Sequence, residues 1–136
     1  MQRGLSLGLF GIFGRSSALR EFDRALRSVD LHPNLLPEAV KLTAVTLLKE
    51  QATGSDPAPY SYRAAAEIIA YCMIGADGFA AANEPELAAE VERRIETALD
   101  KGTSIDAKLV LLTLHARVIQ PSVVEAFQLE SDAEGD

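Results

Sequence analysis

The sequence predicts an all-α protein, a compact bundle of five main helices plus a short C-terminal helix. Apolar residues recur at helical intervals through most of the chain. Proline, glycine and capping residues punctuate those stretches at helix-like lengths. No run alternates with period two over strand length, so no sheet is expected.

The 136 residues suit one domain, and a hydrophobic content of 48% is enough to build its core. Aromatics make up only 6% and tryptophan is absent, so that core must be aliphatic. The expected division is an apolar, glycine-rich N-terminal segment over 1–15, a helical domain over 16–130 and an acidic tail over 131–136.

The first helix is expected from a cap at Ser16 or Ser17 to about Val29. Leu19, Phe22, Leu26 and Val29 share one face, with Arg20, Arg24 and Arg27 roughly opposite. Pro33 breaks the chain, and His32 before it reads as a turn residue. Asn34 then caps a helix over about 35–51, with Val40, Ala44, Leu47 and Leu48 inward and Pro37 in its first turn. Residues 52–60 are dense in turn formers and form the clearest loop.

Ser61 is the expected cap of a third helix running toward Gly75. It is apolar nearly all round and therefore central. Residues 75–82 read either as a loop or as its continuation. Asn83, Pro85 and Glu86 have the pattern of a capping box opening a helix that stops at Gly102. Within it Glu90 can pair with Arg93 or Arg94. Ser104 caps a fifth helix, expected to end at Pro121, with Ile105, Leu109, Leu112, Ala116 and Ile119 on one face. Ser122 and Glu125 form a second capping box for a short helix to about Leu129.

Charge is unevenly distributed. The first 29 residues hold five arginines against Glu21 and Asp23, whereas the whole chain carries −7. An acidic body repels phosphate backbones, so nucleic acid is not an expected partner. The basic end is also apolar and glycine-punctuated. It can be read as a secretory signal, as an organelle presequence or as a working mature segment. In the last case residues 4–29 can lie on an anionic membrane surface, with Leu9, Phe10, Ile12 and Phe13 as wedges and Arg20, Arg24 and Arg27 as the electrostatic contact. The alternative is that the apolar helix face packs on the domain and the arginines are solvated.

Residues that could carry chemistry are few. No His, Cys, Asp or Glu stands one helical turn from His115, so it is expected to be a half-buried structural residue rather than a metal ligand. Cys72 lies in the most apolar helix, where burial makes a thiol inert. As the only cysteine it permits no intrachain disulfide, which fits a reducing, cytoplasmic compartment. Glu86–Glu90 and Glu92–Glu96 are like-charged pairs on a polar face, with no calcium loop around them. The longest apolar runs fall short of a membrane span.

Ala76-Asp77-Gly78 ahead of acidic residues is similar to part of the tellurite-resistance-B-like helical family. Glu84 and Glu86 follow too late for that pattern, and no family is assigned on it.

No nucleotide loop, nucleophile elbow, zinc motif or Cys-x-x-Cys is present, so neither catalysis nor a cofactor is expected. The leading expectation is a non-catalytic interaction or self-association module, with a homodimer as one form. The second is the membrane-peripheral protein just described. The third is a small-ligand carrier or enzyme with a pocket between helices near His115, or at Tyr60 and Tyr62 beside the loop.

Overall fold

The computed structural model describes residues 17–53 and 56–129. It contains six α-helices, five of them of seven residues or more, and no strand among the described residues. They are α1 (17–28), α2 (Glu38–Gln51), α3 (Pro59–Ala82), α4 (Pro85–Lys101), α5 (Ile105–His115) and α6 (Pro121–Ala126). The expected segment over 1–15 and the tail over 131–136, including Leu9, Phe10, Ile12 and Phe13, lie outside the described residues.

α3 and α5 are the hubs. α3 packs on α2, α4, α5 and α6, while α5 packs on α2, α3 and α4. The central stretch of α3 is buried almost without interruption through Ala65, Ala66, Ile68, Ile69, Ala70, Tyr71 and Cys72. By length and composition α3 is the one described helix that could cross a membrane, and half of its most apolar window is buried inside the molecule. Its pattern therefore fits a core helix as well as a span.

α1 belongs to that core. Phe22, Leu26 and Val29 are fully buried, while Arg20, Arg24 and Arg27 stay exposed. Each such side chain contributes about 2 kcal/mol by leaving water, so the apolar face of α1 is committed to packing. Lys41 of α2 reaches the Asp23 carboxylate of α1 at 3.1 Å. Asn83, just past α3, donates from Nδ2 to the Val29 carbonyl at 3.1 Å, satisfying a backbone group at the end of α1.

Several helix starts differ from the sequence reading, and proline is the reason. A proline disfavours helical geometry in the residue before it and suits the first helical position itself. α3, α4 and α6 therefore open with Pro59, Pro85 and Pro121, and the residues in cap position are Ala58, Glu84 and Gln120. Ser61, Asn83 and Ser122 do not cap these helices. Pro37 likewise holds Leu36 extended, so α2 begins at Glu38 after a separate 3-10 turn over Pro33–Leu35. The His32 Nδ1 accepts the Asn34 amide across that turn.

Residues 75–82 are helical, but Gly75 breaks α3 with φ 84° and ψ 169°. The break frees the Cys72 carbonyl, which accepts the Gln120 amide at 2.8 Å. α5 ends at His115, several residues before Pro121. The Arg117 amide bonds to the Leu114 carbonyl and the Val118 amide to that of Thr113, closing a Schellman motif with Arg117 at φ 61°. Ser104 caps α5 as expected, its Oγ accepting the Ala107 amide at 3.2 Å.

Candidate functional site

The strongest polar constellation is one the sequence reading missed. Arg94 reaches down from α4 between α3 and α5. Its Nε and one terminal nitrogen grip both Asp106 carboxylate oxygens at 3.2 and 3.0 Å. The other terminal nitrogen meets Glu67 at 2.8 Å, and the Ala64 carbonyl accepts at 3.1 Å. Arg63 completes the chain by donating to Glu67 at 3.1 Å. Arg94 does not pair with Glu90. The Arg94 side chain is only 23% exposed, and its fork matches a carboxylate bidentately. Such a group has little capacity left for a ligand, so this is a clasp between helices. It borders an open cleft of about 570 Å³ between α4 and the start of α5. Nothing in the local spacing announces it, because its members come from three helices.

Reactive groups of the core are masked. Burial raises the Cys72 thiol from 9.0 to about 12, against a smaller opposite pull from the Thr113 side chain. Burial likewise raises Tyr71 to about 12, assisted by the negative charge of Glu92. The Tyr71 ring packs at tilted angles on Phe79 and Phe127, with centroids 5.8 and 6.4 Å away. No three His, Cys, Asp or Glu side chains among the described residues group as a metal site.

The ligand-site candidates scatter. His115 is exposed at the end of α5, not half-buried, because the helix stops there. Tyr60 is 76% exposed and borders a cleft of about 240 Å³ with Gln51 and Ile105. Tyr62, two residues on, is 6% exposed and lines a different cleft of about 520 Å³. Ser17, Ala18 and Glu21 of α1, Lys49 of α2, and Asp56, Pro57 and Pro59 form the rest of its wall. Burial, then the charges of Asp56 and Glu21, raise the Tyr62 hydroxyl above its ordinary value. The structure thus separates His115, Tyr60 and Tyr62 and brings Tyr62 together with charged groups from distant segments.

Apolar surface is left on α5 and on the chain that follows it. Leu111 is 38% exposed on the outer side of α5. Beyond it Leu112, Val118, Ile119, Phe127 and Leu129 rest on the core while keeping part of their surface in water. Among the described residues Leu35, 62% exposed in the 3-10 turn, is the other large aliphatic side chain in solvent.

Comparison with family models, with curated proteins and with solved structures finds no match to this chain.

Proposed function

We propose that the chain is a non-catalytic binding module that self-associates through the half-covered apolar surface between Leu111 and Leu129. The supporting observation is the contrast between that surface and the polar cluster around Arg94. Arg94, Glu67 and Asp106 satisfy one another, whereas the C-terminal aliphatic and aromatic side chains remain partly hydrated. A second copy of the same surface is the simplest cover for such a patch. A stable dimer buries roughly 800 Å² per partner, about a tenth of this molecule's surface of 7999 Å².

Sedimentation equilibrium tests this. The average mass rises above 14.6 kDa as concentration increases through the micromolar range, and added salt strengthens the rise by screening two bodies of charge −7. Leu111→Asp lowers the association by about tenfold without changing the helical signal. A mass fixed at the monomer value throughout, or association indifferent to Leu111→Asp, overturns the proposal.

A second reading, attachment to an anionic membrane surface, is favoured by the exposure of Arg20, Arg24 and Arg27 on the outer side of α1. With Phe22, Leu26 and Val29 in the core, any wedge must come from residues 4–14. Co-sedimentation with phosphatidylserine vesicles, abolished when all three arginines become glutamate, supports it. No binding, or binding untouched by that replacement, removes it.

A further inference from the structure

The cleft beside α1 has properties that packing alone does not demand. Tyr62 is almost wholly buried at 6% exposure. No fully buried side-chain polar atom is left without a partner among the described residues. Tyr62 lines the cleft, so its phenol is part of the cleft wall. Glu21 and Asp56 line that cleft and make their charge felt at the phenol. Lys49 lines it too, from α2, but neither carboxylate lies within ion-pair distance of its ammonium; Glu21 pairs instead with Arg24 at 2.8 Å. Opposite charges thus face one cavity from separate elements without neutralising each other. Ala18, Pro57 and Pro59 supply apolar wall between them. The volume of about 520 Å³ lies in the range of small-molecule sites, where a few polar groups orient a ligand against apolar walls.

We propose that this cleft binds a zwitterion of amino-acid size, with its ammonium held by Asp56, its carboxylate by Lys49, and the Tyr62 hydroxyl bonded to one of the two charged ends. The side chain of the ligand lies on Ala18, Pro57 and Pro59. This site is independent of self-association, because it draws on α1, α2 and the start of α3 rather than on the region after Leu111.

The test is a heteronuclear NMR titration of the full chain with L-leucine and L-phenylalanine, each beside its amide and its N-acetyl derivative. The amide removes the carboxylate charge and the acetyl group removes the ammonium. At least one free amino acid shifts amides at 17–21, at 49, at 56 and at 60–62, with either derivative bound about fivefold more weakly or worse. Lys49→Gln erases the preference for the amino acid over its amide, and Asp56→Asn erases the preference over the N-acetyl form. Tyr62→Phe, which removes only the oxygen, weakens binding severalfold while leaving the spectrum folded. Absence of shifts with every probe, equal binding of all three forms, or retention of both preferences in the variants overturns the proposal.

Discussion

Arg94 shows how one side chain can organise this fold. Three helices meet at its guanidinium, and each partner is a carboxylate or carbonyl that burial would otherwise leave costly. Removing one member leaves the others half-buried and unpaired, which costs more than the pair contributes. Asp106→Asn is therefore expected to lower stability by about 2 kcal/mol in denaturant unfolding. Arg63→Gln, at the exposed end of the network, is expected to cost well under about 1 kcal/mol. Tyr71 and Cys72 predict behaviour at high pH. Their folded values, both about 12, lie above the ordinary 10.0 and 9.0, so the folded state holds these protons longer than the unfolded chain. Their stabilising contribution is complete below the unfolded values and is lost as pH rises through the folded ones. Thermal melts should show stability falling from about pH 9 toward pH 12, with a shallower fall in Tyr71→Phe. A flat profile there would mean that Tyr71 and Cys72 are not shielded.

The helices themselves were legible in the sequence from hydrophobic period, but several ends were not. Looking for Ser or Asn caps placed the starts of α3, α4 and α6 at Ser61, Asn83 and Ser122. The prolines just before or after those residues decide the matter, since each fixes the first helical position. Ser104, with no proline beside it, caps as its type suggests. Some C-termini are hidden for another reason. α1, α5 and α6 end with Asp30, Arg117 and Gln128 in the left-handed region, where glycine is the usual signal. Only Gly102, closing α4, announces its stop. Arg117→Gly is accordingly expected to raise stability by about 1 kcal/mol, measured by chemical denaturation. Gly75→Ala should do the reverse, costing about 2 kcal/mol or more. Its backbone conformation is nearly closed to other residues, and the added carbon would sit 3.4 Å from Ser122 Oγ. A neutral Gly75→Ala would mean that the break in α3 is not needed to seat the turn at Gln120.

At the scale of the molecule, the all-helical class and the hub roles of α3 and α5 follow from patterning, because a helix apolar all round has only the interior to occupy. The candidate sites were less legible. Glu21, Lys49 and Asp56 meet Tyr62 from separate segments, and no sequence spacing encodes that meeting. The apolar surface after Leu111 was obscured by the expectation that α5 continues to Pro121; its early stop leaves Val118 and Ile119 only partly covered. Self-association through this surface can be located as well as detected. Amide hydrogen exchange, measured on the full chain at dilute and at concentrated conditions, reports where protection is gained. Slower exchange at high concentration should be confined to residues 105–129, leaving α1 and α2 unchanged. Equal rates at both concentrations, or protection gained only in α1, would contradict a self-associating C-terminal face.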